Sequence, residues 1–446
     1  MSELSDKKVL IVDSGLFFNL ALHLSQAINP DGFGRVLYHT PFDEDHQSVE
    51  EQWGDGFADL GIHRCNDFWL RMARGDKFEE ISLFVFPDTG HIGAQVYLES
   101  LGHRVVGSKE GQELELYRSR FRKLQSKLGM DVPEYITIKG ISRLTQHLAP
   151  LENKFLKIDR WRADFETRKW RSWEQDNGLL DKLAVKFGPF KELIDFMVED
   201  EIKTDIEDGG DFLIVNGQAP SHALIGVEKK NQAYCSFIRP YADLDPQITS
   251  VLEPLLPTLA KYRYSNFLST EQRKTKTENV LTDITTRLGF PSGSCQLQAY
   301  GNLPQLLYAA GAGESIEIEP ACKVVIECLM DHADGFRDWR SIRVEDKLWP
   351  WLNPREAMLA GDVLHFPRNH FHTACIGSIN GVGNTVQEAA DHLMEVADML
   401  KGQPVEISLD AVRDLVAEIN EAEETGINFT DTEVPEPEEV LAGNGE

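Results

Sequence analysis

Residues 279–293, NVLTDITTRLGFPSG, carry polar side chains at a spacing that is unusual for a buried strand. With the period of two of a β-strand, Asp283, Thr285 and Arg287 lie on one face, and a Gly-Phe-Pro-Ser-Gly turn follows. Glu271 lies in the stretch just before, NFLSTEQR, which is also typical of a strand. If the two strands pair as a hairpin, two carboxylates meet beside a hydroxyl group and a guanidinium group.

These groups suit a magnesium ion and an anion. Mg²⁺ prefers a few carboxylate oxygens and leaves coordination sites for phosphate and water, so Glu271, Asp283 and Thr285 are candidate ligands. Arg287 can hold a phosphate or a carboxylate through two parallel hydrogen bonds. The alternative is an exposed strand face with ordinary salt bridges, and the spacing alone leaves both interpretations open.

The composition indicates a folded protein of more than one domain. The chain has 446 residues, 41% hydrophobic and 9% aromatic, which predicts two or three domains. No apolar run approaches the about 18 residues that span a bilayer, and the start MSELSDKK does not resemble a signal peptide. The six cysteines lack CxxC spacing, which favours reduced thiols and a cytoplasmic location.

The net charge of −28 opposes a broad surface for DNA or RNA, because such a surface needs clustered basic residues. Polymeric nucleic acid is therefore not an expected partner, and neither is a membrane. No Lys or Arg follows Arg413, and the composition of residues 427–446 predicts a disordered acidic tail. A solubilising role and an acidic docking segment are both open for this tail.

The first part of the chain predicts an α/β domain with a parallel sheet. Apolar strands such as KKVLIVDSG and ISLFVFPDTG alternate with segments of helical spacing. The stretch VDSGLFFN has one glycine, where a dinucleotide-binding turn would need GxGxxG. Asp88 follows a strand at the edge where open α/β sheets bind ligands, and it is either an acceptor contact or a helix cap.

The middle of the chain predicts mixed strands and helices, and the last part returns to strands before a closing helix. KFLKID is a strand that brings Lys157 inward between apolar neighbours. LIDFMVEDEI is an apolar strand that becomes acidic at Glu199 and Asp200. The fold class is thus α/β in the N-terminal part and α+β beyond it.

The order of these features resembles the ATP-grasp superfamily and, within it, the phosphoribosylamine–glycine ligases. DITTRLGFP resembles the metal-binding strand of that family, and CIGSINGVGNTVQEAADHLMEVADML resembles its closing strand and helix. The resemblance implies roles for further residues, namely a phosphate-binding cation at Arg118, an α-phosphate contact at Lys157, adenine contacts from the backbone of Glu199 and Asp200, and a ribose contact at Glu207.

The resemblance also implies an organisation and an activity. It implies an N-terminal α/β domain over residues 1–115, an ATP-grasp domain of two lobes over 116–318 with its lid lobe at about 133–202, a small C-terminal domain over 319–426, and the tail. The implied enzyme is an ATP- and Mg²⁺-dependent carbon–nitrogen ligase of purine biosynthesis. It would join a small carboxylate, with glycine the first to test, to an amine. Arg287 would hold the transferred phosphoryl group or the acyl phosphate.

Three departures from the family pattern leave other functions open. Thr285 stands where the family has Asn, and SGLFFNL replaces its Gly-Gly-Arg-Glu-His segment. The loop after Lys157 contains no glycine, so Arg160 and Arg162 are candidate phosphate donors in place of backbone amides. The alternatives are a non-catalytic nucleotide-binding or scaffold protein, and ligation of an amino acid onto a nucleotide or a modified base. The sequence does not predict the oligomeric state.

Overall fold

A computed structural model describes most of the chain. The described residues are 3–40, 53–159, 167–202, 207–274, 279–290, 292–335, 339–367, 374–424 and 428–441. They form four β-sheets with helices packed against them.

The N-terminal part contains a five-stranded sheet of strand order β3-β2-β1-β4-β5, in which all neighbouring strands are parallel. The strands are runs of buried apolar residues, as expected when helices cover both faces of a parallel sheet. The predicted parallel sheet is therefore confirmed. The elements are β1 (Lys8–Val12), α1 (Phe18–Leu24), β2 (Arg35–His39), β3 (Ile62–Arg64), α2 (Phe68–Ala73), β4 (Leu83–Val85), α3 (Ile92–Ser100) and β5 (Val105–Val106).

Two helices connect this sheet to the next part of the chain, namely α4 (Glu113–Leu116) and α5 (Arg118–Lys127). A small lobe follows, with an antiparallel sheet of order β6-β9-β7-β8. Its elements are β6 (Tyr135–Lys139), α6 (Ile141–Leu148), β7 (Lys154–Ile158), β8 (Thr167–Trp170), α7 (Trp173–Phe187) and β9 (Asp195–Asp200). The lobe has a hydrophobic core of its own, which includes Leu144, Trp170 and Leu183. We call it the lid lobe.

The chain after the lid lobe forms a large antiparallel sheet of order β14-β13-β10-β11-β12-β15-β20-β17, with β21 paired to β15. The first elements of this part of the chain are β10 (Glu207–Val215), β11 (His222–Lys229), β12 (Ala233–Pro240), α8 (Pro246–Leu252), α9 (Leu256–Lys261), β13 (Ser265–Lys274), β14 (Asn279–Thr285), α10 (Gly293–Ala299) and α11 (Leu303–Ala310). The C-terminal elements are β15 (Val324–His332), β16 (Trp339–Arg343), β17 (Leu352–Pro354), β18 (Met358–Ala360), β19 (Val363–Pro367), β20 (Cys375–Gly383), α12 (Val386–Met399), β21 (Val405–Ile407) and α13 (Ala411–Glu424).

The large sheet runs through the predicted boundary between the second and third domains. Strand β15 lies beyond that boundary, and it pairs with β12 on one side and β20 on the other. The four predicted domain ranges stay predictions. A separate three-stranded sheet of order β16-β19-β18 lies beside the C-terminal strands.

Helix α12 begins at a capping arrangement that its sequence encodes. The Thr385 hydroxyl accepts a hydrogen bond from the Glu388 backbone N–H at 3.1 Å, and the Glu388 carboxylate accepts one from the Asn384 N–H at 2.8 Å. Both contacts satisfy N–H groups at the start of the helix region, which otherwise lack partners. The chain turns away soon after the helix at Gly402, whose φ of +83° favours glycine.

The structure differs from the predicted disordered tail over residues 428–441. Phe429 is fully buried and packs against Phe237 at 5.9 Å between ring centroids, and Val440 is also buried. Asp431 lies 3.3 Å from Arg239. Phe429 and Val440 join the main hydrophobic core, and the acidic composition of the segment does not indicate this.

Two further sequence predictions concern the whole chain. All six cysteines lie in described residues and are free thiols, as predicted. In the described part of the chain no helix is long and apolar enough to cross a membrane.

Candidate active site

The predicted hairpin of two polar strands is present. Strand β13 pairs antiparallel with β14, and Glu271 lies directly opposite Asp283. The register shifts between Glu271 and Gln272, so that Thr282 is an extra residue in β14. The bulge leaves Leu281 in the core while Asp283 lies beside Glu271 at a cavity. The two strands thus bring the two carboxylates together, as their spacing predicted.

The first cavity, which we call the acyl cavity, has a volume of about 350 Å³ and contains the whole predicted polar row. Asp283, Thr285 and Arg287 all line it, together with Glu271. Its walls come from β10, β11, β13 and β14 and from the turn after β14. The turn is compact because Gly289 packs closely against the Ser292 side chain.

Arg287 is held in place by two acidic residues of the N-terminal part. Its Nε donates to Glu115 Oε1 at 3.0 Å and lies 3.5 Å from Asp88 Oδ1. Asp88 also accepts a hydrogen bond from the Ser14 hydroxyl at 2.6 Å. The edge of the parallel sheet where Asp88 was predicted to meet a ligand therefore reaches the end of the polar row.

A second cavity of about 300 Å³, which we call the lobe cavity, lies between the lid lobe and the large sheet. Lys157, Glu199 and Asp200 line it from the lid lobe, and Glu271 and Asp283 line it from β13 and β14. Because the same two carboxylates line both cavities, the cavities adjoin at the predicted metal site.

Lys157 is buried and directed toward the large sheet, as its apolar neighbours predicted. Its ammonium group lies 3.2 Å from Glu199 Oε2 and donates to the carbonyl oxygen of Thr282 at 2.9 Å. Arg118, on α5, is also buried and donates to the carbonyl oxygen of Ile158 at 3.3 Å. The structure thus brings Lys157 to the lobe cavity, whereas Arg118 lines neither cavity.

The positive charges around Asp283 keep it ionised. Burial acts to raise the pKa of the Asp283 carboxyl, but the charges of Lys157, Arg118 and Arg122 together lower the pKa below its usual value. An ionised carboxylate beside a second carboxylate and the Thr285 hydroxyl fits the oxygen ligands that Mg²⁺ takes. No group of three or more His, Cys, Asp or Glu side chains that could hold a metal occurs among the described residues. The ion would therefore also need phosphate or water oxygens.

The residues predicted to contact adenine and ribose lie on strands β9 and β10. The Asp200 backbone N–H already donates to the carbonyl oxygen of Glu134 at 3.0 Å, so an adenine contact at Asp200 would need another backbone group. The Asp200 side chain accepts from Lys154 at 2.6 Å. Glu207 begins β10 and pairs with Arg273 of β13. The side chain of Glu207 lies outside the described part of the structure. Arg160 and Arg162 lie outside the described residues.

Several residues that line the acyl cavity were not predicted. Lys230 lies 3.4 Å from the carboxylates of both Glu228 and Glu271. Lys230 follows Glu228 and Lys229 at the end of the predicted strand HALIGVEKK. Its position in the turn after that strand was the sequence feature that could have indicated it. Asp211 accepts hydrogen bonds from Tyr234 at 2.8 Å and from Ser292 at 2.9 Å. Burial raises the pKa of the Asp211 carboxyl, although these hydroxyl groups oppose the rise.

Comparison with known proteins shows similarity in structure alone. No protein-family model matches the chain, and no curated protein matches it. Phosphoribosylamine–glycine ligase from Thermotoga maritima is similar with a TM-score of 0.65 and 14% identity, covering 90% of this chain and 97% of that one. The biotin carboxylase domain of the Hydrogenobacter thermophilus 2-oxoglutarate carboxylase, in complex with MgADP, ADP and bicarbonate, has a TM-score of 0.61 and 12% identity, with coverages of 95% and 96%.

A third similar structure is the N5-carboxyaminoimidazole synthetase from Staphylococcus aureus complexed with ADP. Its TM-score is 0.55 at 11% identity, and the match covers 89% of this chain and 98% of that one. At such identities the similarity shows the fold, and the fold is shared over almost the whole length of each protein. The ATP-grasp fold implied by the sequence resemblance is confirmed.

Proposed function

We propose that the chain is an ATP-dependent carboxylate–amine ligase that forms an amide through an acyl phosphate. The observation that carries the proposal is the junction of the two cavities. Glu271 and Asp283 line both, Lys157 lies in the lobe cavity, and Arg287 lies in the acyl cavity. A nucleotide in the lobe cavity would bring its terminal phosphate to the two carboxylates, facing the row that ends at Arg287.

ATP and Mg²⁺ are the proposed cofactors. The similar structures from S. aureus and H. thermophilus contain ADP and MgADP, and the paired carboxylates fit the metal. When bound, ATP supplies the phosphoryl group and Mg²⁺ neutralises charge on the phosphate oxygens. Glu271, Asp283 and Thr285 would hold the metal. Further proposed nucleotide contacts are Lys157, Arg160 and Arg162 with the phosphates, Glu199 and Asp200 through their backbone with adenine, and Glu207 with ribose. Arg118 would reach a phosphate only after its side chain turns, because it lines neither cavity.

The work of the protein is to align the reactants and to compensate charge. Lys157 would hold an inner phosphate, and Arg287 would hold the transferred phosphoryl group or the acyl phosphate. Glu115 and Asp88 fix the direction of the Arg287 guanidinium, so its position does not depend on the substrate. The amine would then attack the acyl carbon, form the C–N bond and displace inorganic phosphate.

Glycine is the first carboxylate to test, and the amine side of the reaction is more open. The structure of T. maritima phosphoribosylamine–glycine ligase is similar in fold, which supports a role in purine biosynthesis as the finer proposal. SGLFFNL stands where that family carries its Gly-Gly-Arg-Glu-His segment. Within it, Ser14 contacts Asp88 at the end of the polar row, so we propose that the amine enters from this edge.

A non-catalytic nucleotide-binding protein is the second candidate. The Thr285 hydroxyl is a weaker neutral ligand than the amide oxygen of Asn, and the loop after Lys157 has no glycine. Both features favour binding without turnover. The two candidates differ in one measurement, which is whether phosphate release follows nucleotide binding.

The test is a screen for ATP-dependent phosphate release with amino acids crossed against small amines, including phosphoribosylamine with glycine. A ligase gives ADP and phosphate only when both a carboxylate and an amine are present. Glu271→Gln and Asp283→Asn should each reduce that rate by about 100-fold or more, because each variant would weaken the binding of the metal ion that compensates the charge of the transferred group. The exposed Glu253→Gln is a matched control. A full rate in the two variants would refute the assignment of the site, and ATP binding without turnover would favour the second candidate.

A further inference from the structure

Arg122, on helix α5, is a buried arginine that joins three separate parts of the fold. It is 2% exposed. Its Nε and Nη2 donate to the two carboxylate oxygens of Glu199 on strand β9 of the lid lobe. Its Nη1 donates to the carbonyl oxygen of Leu281 on β14 at 3.0 Å and to Gln125 on its own helix at 2.7 Å. Nη2 also donates to the carbonyl oxygen of Thr282.

Arg122 and Lys157 share the same carboxylate. Glu199 lies 3.2 Å from the Lys157 ammonium group and accepts two hydrogen bonds from Arg122. Burial acts to raise the pKa of the Glu199 carboxyl, but the charges of Lys157 and Arg122 together lower its pKa. Glu199 is therefore a buried, ionised group with two cationic partners.

This sharing matters when a phosphate enters the lobe cavity. Two of the three N–H groups of the Lys157 ammonium are directed to Glu199 and to the carbonyl oxygen of Thr282, so a phosphate that takes more than one hydrogen bond from Lys157 must displace one of these contacts. A buried carboxylate left without a partner is costly, because desolvation is then not offset by any opposite charge. With Arg122 in two-point contact, Glu199 keeps a partner after Lys157 leaves, so the exchange of Lys157 from carboxylate to phosphate costs little.

We propose that Arg122 is a positioning residue that releases Lys157 for the nucleotide by compensating Glu199. This inference rests on the proposed function, since it requires a phosphate in the lobe cavity. Arg122 is assigned no contact with that phosphate, because its five donor groups are directed to Glu199, to Gln125 and to the backbone of β14. The same contacts hold the main chain at Leu281 and Thr282, just before Asp283.

If Arg122 acts by compensating the charge of Glu199, the effect of an Arg122 substitution on ATP binding depends on whether Glu199 is present. Arg122→Gln should weaken the binding of ATP at least about tenfold, since Glu199 then retains Lys157. In the Glu199→Gln background there is no carboxylate to compensate. The double variant Arg122→Gln/Glu199→Gln should therefore bind ATP within about twofold of Glu199→Gln alone. Arg122→Lys keeps the charge and should recover most of the loss.

The measurement is the Kd of ATP with Mg²⁺ by calorimetry, with thermal unfolding of each variant without ligand. Arg120→Gln is the matched control, because Arg120 lies on the same helix but is exposed and contacts Glu113. If Arg122→Gln does not fold, the neutral double variant decides the question. The inference is overturned if the double variant loses a further tenfold relative to Glu199→Gln, if it fails to fold, or if Arg122→Gln binds ATP as the wild type does.

Failure of the proposed function gives a different result from failure of this inference. A wild-type protein that binds neither ATP nor ADP removes the nucleotide site itself, and with it the role of Arg122. A wild-type protein that binds ATP, with the same Kd in all the variants, leaves the proposed function intact and overturns only the inference.

Discussion

Arg287 differs from Lys157 because it lines the acyl cavity, where two acidic residues of the N-terminal part hold it. Glu115 and Asp88 hold its guanidinium group at the end of the acyl cavity, away from Lys157 in the lobe cavity. Arg287→Lys keeps the charge but loses the planar, two-point geometry. We expect phosphate release to fall about 100-fold, while the Kd of ATP changes less than about threefold because most of the proposed nucleotide contacts lie in the lobe cavity.

This prediction is checked by measuring kcat and the Kd of ATP separately. Arg239→Lys is a suitable control, because Arg239 lies at the opposite end of β12 from the cavity-lining Tyr234 and pairs with Asp431. An equal loss of ATP binding and turnover in Arg287→Lys would place Arg287 in the nucleotide site instead.

At the scale of single residues, the sequence predicted those members of the site that follow a period of two. Asp283 and Thr285 lie on β14 and Arg287 lies two residues beyond its end, and all three line the acyl cavity. Arg122 cannot be found in this way, because RSRFRKLQSK contains several cations and the helix alone does not identify the one that faces Glu199. Its role depends on three elements that are distant in sequence.

At the scale of elements, the lid lobe is the part whose motion the proposed chemistry needs. An acyl phosphate hydrolyses in water, so a ligase gains from a lobe that closes over the nucleotide. In the described residues, Lys157 already bridges the lobe and β14 through the carbonyl oxygen of Thr282. A bound phosphate would add a second reason for the lobe to stay closed.

We expect ATP with Mg²⁺ to slow hydrogen exchange over residues 158–175, the segment that follows Lys157 and ends near Trp173. Lys157→Ala should show much less slowing, because the segment then has no phosphate contact to order it. Exchange measured by mass spectrometry, with Trp fluorescence as a second probe, tests this. Lys154→Ala is the matched control, since Lys154 lies on the same strand but contacts the partly exposed Asp200. Equal exchange with and without saturating ATP in the wild type would exclude the lid.

The elements themselves could be predicted where a pattern is long and regular. The alternation in β13 and β14 predicted a hairpin, and the apolar runs of β1 and β4 predicted a parallel sheet. Strand β3 was not predicted, because its sequence, IHR, contains one apolar residue, whereas β4 is part of an apolar run. The bulge at Thr282 was also hidden, since an extra residue in one strand is defined only by its partner.

At the scale of the whole molecule, the large sheet connects the strands that line the two cavities with the strands of the C-terminal part. Glu327 lies at the joint, in β15, opposite Tyr234 of β12 on one side and Asn380 of β20 on the other. The sequence shows only an acid within the apolar run CKVVIECLM. Its complete burial follows from strand pairing across a predicted domain boundary, which the local pattern does not contain.

Glu327 should make the stability of the protein depend on pH. Burial, with a smaller contribution from the charges of Glu228 and Asp211, raises the pKa of the Glu327 carboxyl from 4.5 to about 8. Between these values the folded protein keeps a proton that the unfolded chain has lost. The free energy of unfolding therefore falls as pH rises, by at most about 1.4 kcal/mol per pH unit from this group. Below pH 4.5 the group contributes no such penalty.

Glu327→Gln removes this titration while keeping the size of the side chain. We expect the variant to be more stable than the wild type at pH 8, with a difference in melting temperature that shrinks steadily toward pH 5. Glu395→Gln, an exposed change on α12, which packs against the same sheet, should give a pH-independent difference close to zero. Thermal unfolding of the three proteins from pH 5 to pH 8.5 measures this. Parallel curves for the wild type and Glu327→Gln would mean that Glu327 is ionised in the folded protein, and hence that a cation or water compensates it.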